Sequence, residues 1–265
     1  TEEQVGLEVF KKVECVYNSS GNTKHKNGVC VFNTKDLELP RDAHAFLLKK
    51  SIINHKYGEG SIIAKIFTED YGLKSFNIKR GRSKKTKNKI SLLEKLSLLN
   101  ISAKHKQNKD LQYITEISVA HHFQSTGLYN KLLRIFMAEI LSKILIEGER
   151  NSSVFNFIWG LTKDLDNEQE IDHNFSLRYL ISLTKFLGFF PSIENIEYPF
   201  FNLNNSCFTK KTESSEEVIN GDNLNYFRAL ITNRNINIPY KNRQQLIEKI
   251  FYYYKVHHYK LDNIK

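Results

Sequence analysis

Residues 45–81, AFLLKKSIINHKYGEGSIIAKIFTEDYGLKSFNIKRG, decide how the front half of this chain folds. Three runs of β-branched and apolar residues follow one another, and two of them end at a Tyr-Gly pair, Tyr57-Gly58 and Tyr71-Gly72. Short apolar runs that end at glycine turns are typical of antiparallel strands joined by tight connections. The stretch therefore predicts three consecutive strands of one sheet.

Two further strand-like runs follow. KLSLLNISAKHKQ (95–107) and LQYITEISVAHHF (111–123) are again rich in β-branched residues, and the NKD between them is a hairpin signal. Five short antiparallel strands suit a small closed barrel, and the oligonucleotide-binding (OB) barrel is the common module of this size. We predict an OB barrel over residues 45–125, preceded by an extension at 1–44 to which no role is assigned.

A helical pattern replaces the strand pattern after residue 126. LYNKLLRIFMAEILSKILIEG (128–148) predicts a helix with one apolar stripe. The stripe consists of Leu132, Leu133, Phe136, Ile140, Leu141 and Ile144. SSVFNFIWGLTKDLDN and NFSLRYLISLTKFLGFFP predict two more helices, the second of them apolar on most sides and ending at Gly188. Residues 192–212 have no regular pattern, and weaker helices follow. The fold class is α+β: an N-terminal OB barrel and an all-helical domain at 126–265.

The excess positive charge of the chain lies in the predicted barrel. The sequence has 39 Lys and Arg against 29 Asp and Glu. Residues 45–125 contain 16 of these cations and 6 of these anions, so this segment accounts for the entire net charge of +10. A positive field confined to one module suits a phosphate backbone as its partner.

The densest cationic stretch is KRGRSKKTKNK at 79–89, in which seven of eleven residues are Lys or Arg and none is acidic. Lysines continue at the end of the next strand and in its turn. Lysine supplies a point charge that suits phosphate, whereas the reading of base edges favours Arg or Asn. We therefore predict nucleic-acid binding with little sequence preference. A solvated lysine-rich loop and a nuclear localisation signal are the alternative interpretations of this stretch.

Aromatic side chains in the same module are candidates for stacking on bases, although about half of the side chains of any strand face the core. The predicted binding residues are Lys79, Arg80, Arg82, Lys84, Lys85, Lys87, Lys89, Lys104, Lys106, Lys109, Tyr57 and Phe76.

The motifs that would indicate an enzyme or a metal site are incomplete. GEGSII at 58–63 lacks the third glycine of a dinucleotide-binding loop. Asp164 and Asp166 have the spacing of a calcium loop, but Gln169 occupies the position that needs glycine. The three cysteines form no CxxC pair, and the adjacent His pairs have no second ligand pair at metal spacing. We expect no metal, no cofactor and no catalytic residue.

The composition also bears on location. No window approaches the 18 apolar residues of a membrane span, and the cysteine usage fits a reducing compartment. The sequence therefore predicts a cytoplasmic protein.

Several segments together resemble the RecO recombination-repair proteins. LLKKSIINHKYGEGSIIAKIFTEDYGLKSFNIKRGRSKKTK resembles the opening of these proteins, and LLEKLSLLNISAKHKQNKDLQYITEI resembles their fourth and fifth strands. IFMAEILSKIL and NFSLRYLISLTKFLGFFP are similar to segments of their helical domain, and YYYKVHHYKLDNIK to their C-terminal segment. The resemblance covers roughly residues 45–265, with the segments in the same order and at the same spacing.

The resemblance implies a DNA repair and recombination mediator that is not an enzyme. Such a protein binds single- and double-stranded DNA, anneals complementary strands, and acts in the cytoplasm at the nucleoid. It recognises the acidic C-terminal tail of single-stranded DNA-binding protein, joins RecR, and helps RecA to load. Many members have four zinc-binding Cys after the helix that ends LGF.P, whereas residues 192–212 here contain only Cys207, as in the metal-free branch of the family.

An acidic tail that ends in an apolar residue needs an apolar pocket with a basic rim. Arg178 and Lys185 are seven residues apart and share a face of the third predicted helix. We predict that they form the rim, with Leu177, Ile181 and Phe186 in the pocket. In the alternative interpretation both cations only reach solvent from a buried helix, and the tail binds along the face of Lys131 and Arg134.

Two other functions remain open at this point. An OB-fold RNA-binding protein of translation or RNA processing would have a similar barrel, and a competition assay between RNA and DNA separates the two. A nuclease would need clustered carboxylates beside the basic stretch, but residues 72–93 contain no Asp or Glu.

Overall fold

The predicted strands close into a barrel in a computed structural model of the chain. It describes residues 25–26, 29–30, 37–38, 43–53, 61–79, 92–105, 111–124, 127–167, 172–211 and 217–261. The barrel strands are β4 (Ala43–Ile53), β5 (Ser61–Thr68), β6 (Gly72–Lys79), β7 (Leu98–His105) and β8 (Leu111–Val119). Three two-residue strands precede them: β1 (His25–Lys26), β2 (Val29–Cys30) and β3 (Leu37–Glu38).

The strand order identifies the barrel as OB-like. β5 pairs antiparallel with both β4 and β6, as expected for consecutive strands joined by short turns. β7 pairs antiparallel with β4 and β8, and β8 runs parallel to β6, which closes the cylinder. This closed five-stranded arrangement confirms the predicted OB fold. β1 pairs with β2, and β3 continues the sheet beside the end of β7, where Leu37 pairs with His105.

Alternation along the strands separates the inside of the barrel from its outside. On β5, Ile62, Ala64 and Ile66 point inwards and are at most 2% exposed. They pack in one cluster with apolar residues of the other four strands. Its members on those strands include Ala45, Leu47, Phe76, Ile78, Leu99, Ile101 and Ala103. This cluster is the interior core of the barrel.

Helices follow the barrel, as the sequence predicts. They are α1 (Leu128–Ile144), α2 (Ser152–Asn167), α3 (Phe175–Leu187), α4 (Gly221–Ile231) and α5 (Tyr240–Val256). The predicted end of α3 is confirmed, because Gly188 caps the helix in the left-handed conformation with φ of 85°.

A small antiparallel sheet lies among the helices. It consists of β9 (Phe200–Asn202), β10 (Cys207–Thr209) and β11 (Val218–Ile219). The prediction of an irregular segment at 192–212 is therefore wrong for two of these strands. Strands of two or three residues are too short to show an alternating pattern in the sequence.

The outside of the barrel is apolar at one end, and the helices cover it. Phe46 on β4 and Phe67 on β5 face outwards but are fully buried. Phe155 of α2 stacks on Phe46, with ring centroids 5.1 Å apart, and lies 5.6 Å from Phe67. Trp159, one turn further along α2, stacks on His44 at 4.6 Å. The outer face of the barrel and the helices therefore share one hydrophobic core.

The apolar stripe predicted on α1 is confirmed in part. Phe136 is half-buried, and the other inward members are at most 5% exposed: Leu133, Ile140, Leu141 and Ile144. The prediction is wrong for Leu132, which is 51% exposed. Leu132 lies with Leu128 and Ile135 on the opposite side of the helix, where positions three and four residues apart are neighbours. α1 thus has an apolar face in contact with solvent.

A glycine makes the closest approach between the barrel and the segment after α1. Gly72 has φ of +64°, and a Cβ on it would lie 1.9 Å from the carbonyl oxygen of Glu149. Beside it, the backbone N–H of Gly148 donates to the carbonyl oxygen of Leu73 at 2.9 Å. The Tyr-Gly turn between β5 and β6 therefore serves as a docking point for the helical domain.

Replacing Gly72 with Ala should lower the free energy of unfolding by at least about 2 kcal/mol, because the left-handed backbone and the Glu149 carbonyl both oppose a Cβ. Urea denaturation followed by circular dichroism measures this change. Gly160→Ala is the matched control, since Gly160 lies inside α2 with nothing within 4 Å of an added Cβ. We expect the control to stabilise the protein by roughly 0.5–1 kcal/mol. Equal unfolding free energies for the two variants would contradict the role of Gly72.

Candidate nucleic-acid interface

Strand pairing brings the strand ends that flank two of the predicted binding segments to one end of the barrel. Segment 54–60 joins β4 to β5, and segment 80–91 follows β6. Ile53 pairs with Ser61, which in turn pairs with Lys79. We call this end of the barrel the far end. The third segment, 106–110, joins β7 to β8 and starts from the opposite end, because β7 runs antiparallel to β4 and extends past Ala43. The three segments themselves lie outside the described residues.

The opposite end, called here the near end, is occupied by the helical domain. It includes the buried Phe46 and Phe67 and the Gly72 turn. Arg150, from the segment after α1, donates to the Asp70 carboxylate at 3.2 Å and to the Glu69 carbonyl at 3.3 Å. The helices and these contacts cover the part of the near end that β4, β5 and the Gly72 turn form.

Two barrel lysines are engaged at the boundary with the helical domain. The Nζ of Lys65 lies 3.1 Å from the Glu147 carboxylate. Burial acts to raise the pKa of Glu147, but hydrogen bonds from Ser75 and Lys65 and the charges of Lys65 and Lys74 outweigh it and lower that pKa. These cations therefore stabilise a carboxylate of the protein itself.

Two of the predicted cationic residues lie on described strands. Lys79 is the last residue of β6 and is at the far end. Lys104, the next-to-last residue of β7, lies toward the opposite end, because β8 is parallel to β6 and antiparallel to β7. Lys104 pairs with Tyr113 on β8, and Tyr113 pairs with Asn77 on β6. The remaining residues lie outside the described part of the chain, and their role stays a prediction: Tyr57, Arg80, Arg82, Lys84, Lys85, Lys87, Lys89, Lys106 and Lys109.

Phe76 does not belong to a binding surface. Its side chain is 1% exposed and packs in the interior core of the barrel. The prediction that it stacks on bases is wrong, because its neighbours on β6 face outwards and Phe76 faces inwards.

Tyr113 is the exposed aromatic residue that the sequence analysis missed. Its side chain is 42% exposed on β8, whereas Gln112 beside it is 2% exposed. From polarity alone, Gln112 would be expected to be exposed and Tyr113 to be buried. The signal that could have identified Tyr113 is its place between Lys104 and Asn77, which only the strand pairing reveals.

The predicted pocket for a partner tail is not open on the surface of α3. Leu177 and Ile181 are 1% and 4% exposed and belong to the core, so the prediction that they line a pocket is wrong. Phe186 stacks on Phe157 of α2 with ring centroids 4.6 Å apart. α3 is central to the helical domain, and most of its apolar residues are used in packing.

The two cations predicted for the rim have partners within the protein. Arg178 donates to the Asp172 carboxylate at 2.7 Å and to the carbonyl oxygen of Arg234 at 2.9 Å. The Nζ of Lys185 lies 4.6 Å from the ring centroid of Phe190. Arg178 therefore anchors the start of α3 to the segment after α4, a structural role that the sequence analysis did not foresee.

Within the described ranges, no three His, Cys, Asp or Glu side chains are grouped as metal ligands. Asp166, one of the carboxylates with calcium-loop spacing, lies 3.0 Å from Nε2 of His121 and accepts a hydrogen bond from the backbone N–H of Gln124 at 3.0 Å. Its contacts connect α2 to the segment that leaves the barrel. No helix in the described part of the chain is long and apolar enough to cross a membrane.

The closed five-stranded barrel and the helices that follow it define the class of this protein. It is an OB-barrel protein with an appended helical domain. Residues 51–123 match the family model described as "Recombination protein O N terminal". The DNA repair protein RecO of Flavobacterium psychrophilum is 35% identical over 217 residues, which are 79% of this chain and 89% of that protein. The RecO of Christiangramia forsetii is 29% identical over 76% of this chain and 87% of its own. The chain therefore belongs to the RecO family, which confirms the resemblance found in its sequence.

Phe76→Leu tests the corrected role of Phe76. We expect it to lower the free energy of unfolding by about 1 kcal/mol through imperfect core packing, with DNA affinity changed less than twofold. Denaturation and fluorescence anisotropy with a labelled oligonucleotide measure the two quantities. A tenfold loss of affinity in a variant that remains folded would show that Phe76 contacts DNA after all.

Proposed function

We propose that this chain is a DNA repair and recombination mediator that binds single- and double-stranded DNA at the far end of its barrel and anneals complementary strands. Relatives over most of its length are named DNA repair proteins. The observation that carries the proposal is the register of the strand ends. It starts the cationic segment 80–91 and segment 54–60 from the far end of the barrel, while the helices pack on the outer face of β4 and β5 toward the other end.

The proposed mechanism is electrostatic. Two complementary strands repel each other through their phosphates, and cations that neutralise phosphates on both strands lower this repulsion while the bases pair. Lysine suits this task because its point charge holds phosphate without selecting a sequence. No covalent bond is made or broken, so the chain acts without a catalytic residue, metal or cofactor.

The family resemblance extends the proposal to partners. The chain would act in the cytoplasm at the nucleoid, with RecR, to help RecA load on strands coated by single-stranded DNA-binding protein. It would find those strands by binding the acidic C-terminal tail of the coating protein.

The exposed apolar face of α1 supports a site for such a tail. Leu128 and Leu132 are 73% and 51% exposed, and Ile135 is 40% exposed. Lys131 is exposed on the same helix and supplies a cation. Arg134 does not, because it is 5% exposed and its guanidinium lies 3.9 Å from the ring centroid of Phe123. We therefore place the tail on the α1 face rather than on α3.

Replacing Lys84, Lys85, Lys87 and Lys89 with Ala should weaken DNA binding about equally for all sequences. Each lost phosphate contact removes roughly 0.7–0.9 from the slope of log affinity against log salt concentration. Anisotropy titrations at several salt concentrations measure this slope. The matched control replaces four exposed lysines of the helical domain, Lys163, Lys241, Lys255 and Lys260. A slope that falls equally in both variants, or in neither, would contradict the far-end site.

Leu132→Asp combined with Lys131→Glu should weaken binding of an acidic tail peptide at least tenfold, because it puts negative charge where an apolar anchor and a cation are needed. Direct DNA affinity should stay within about twofold, since the two sites lie on different domains. Isothermal titration calorimetry with the peptide measures the first effect. The control is Ile193→Asp with Lys163→Glu, since Ile193 is 60% exposed in the helical domain. Wild-type peptide affinity in the α1 variant would refute this site.

RNA binding and nuclease activity are the competing functions. Lysine contacts to phosphate do not by themselves distinguish RNA from DNA. A competition titration in which RNA displaces DNA at low stoichiometric excess would favour an RNA-binding protein. Metal-dependent cleavage of an oligonucleotide would favour a nuclease.

A further inference from the structure

We infer that Tyr113 is a base-stacking residue that makes the outer surface of the barrel around it bind single-stranded DNA in preference to duplex. This inference rests on the proposed DNA-binding function and adds to it a strand preference and a residue that determines it. The evidence is the exposure of Tyr113, its place in a row across the sheet, and the charge pattern around that row.

The row runs across five strands through directly paired residues. Lys104 pairs with Tyr113, Tyr113 with Asn77, Asn77 with Ile63, and Ile63 with Ser51. Directly paired residues on neighbouring strands lie on the same face of the sheet, about 4.5–5.5 Å apart between Cβ atoms. The residues on either side of Ile63 and Asn77 are buried in the interior core, so this row faces outwards.

The chemistry of the row suits a base rather than a phosphate. Its central members are uncharged: an aromatic ring that is 42% exposed, an amide and a half-buried aliphatic side chain. Cationic positions border it in the register: Lys104 is paired with Tyr113, and Lys79 is the last residue of β6, two residues after Asn77. An aromatic platform bordered by cations is the arrangement with which OB barrels hold single strands.

Two features distinguish Tyr113 from an ordinary exposed tyrosine. An exposed tyrosine on a strand is ordinary when it is isolated, but Tyr113 lies between the starts of segments 80–91 and 106–110, where the cations are concentrated. Among the described residues, the acidic positions nearest in the register are Glu38, which pairs with Lys104, and Glu116, three residues further along β8. Neither belongs to the uncharged centre of the row.

Stacking requires an unpaired base, because the faces of bases in a duplex are already covered by their neighbours. Loss of the ring should therefore weaken binding to single strands and leave binding to duplexes unchanged. The contribution of phosphate contacts, in contrast, is present with both kinds of DNA and with a strand that lacks its bases.

The experiment compares three labelled ligands of equal length by anisotropy with the full chain: a dT oligomer, the same backbone with abasic sites, and a duplex. Tyr113→Ala should lower affinity for the dT oligomer about tenfold and leave the other two within twofold, whereas Tyr113→Phe should restore it. The control is Tyr240→Ala, at a tyrosine that is 67% exposed on α5. If the wild type bound none of the three ligands, the proposed DNA binding would fail. If the wild type bound and Tyr113→Ala matched it, only the stacking inference would fail.

A second variant keeps the test valid if Tyr113→Ala is unstable. Tyr113→Trp retains a ring, and its fluorescence should fall when the dT oligomer is added but not when the abasic strand is added. The wild-type protein, whose single tryptophan Trp159 packs at the near end, should show no such change. Equal quenching by the dT and abasic strands would overturn the assignment of Tyr113 as a base-stacking residue.

Discussion

The packing of Phe155 against Phe46 and Phe67 fixes which part of the barrel can face a ligand. A buried aromatic side chain removes 150–250 Å² from water, so this cluster is worth several kcal/mol. The rings lie on the outer surface of β4 and β5, where an isolated barrel would be exposed to solvent. Because Gly72 lets the Glu149 backbone approach closely, the helical domain is held against the near end. Under the proposed function, the far end is open to DNA.

The same packing also separates the cations that pair within the protein from the excess positive charge of the barrel. Lys65 and Arg150 pair with carboxylates across the boundary between the barrel and the helices, and Lys74 helps to keep Glu147 ionised. Their charges are compensated within the protein. The excess positive charge in the sequence lies in the segment that follows β6 and in the turn between β7 and β8. The proposed function implies that a polyanion is drawn toward these cationic segments, while the α1 face on the helical domain stays available for a protein partner.

Alternation along strands and helical periodicity were sufficient to predict the barrel and the helices from sequence, and the density of Lys and Arg was sufficient to locate the cationic segment. Each of these features depends on local residue patterns. The assignment of faces was harder. Phe76 and Tyr113 are both aromatic residues on barrel strands, and only the pairing register shows that Phe76 points into the barrel and Tyr113 points out. Arg178 was misassigned for a related reason: its partner Asp172 and the Arg234 carbonyl come from other segments, and spacing along α3 gives no information about them. Side-chain direction and tertiary partners are properties of the assembled fold.

Backbone hydrogen exchange, with and without a saturating dT oligonucleotide, tests most directly that DNA binds at the far end of the barrel and across Tyr113. The account predicts slower exchange in peptides that cover 54–60, 75–91 and 102–115. Peptides that cover the near end, 44–48 and 67–73, and those from α2 to α5 should exchange at unchanged rates. Protection concentrated in the helices, with the far-end peptides unchanged, would contradict the account.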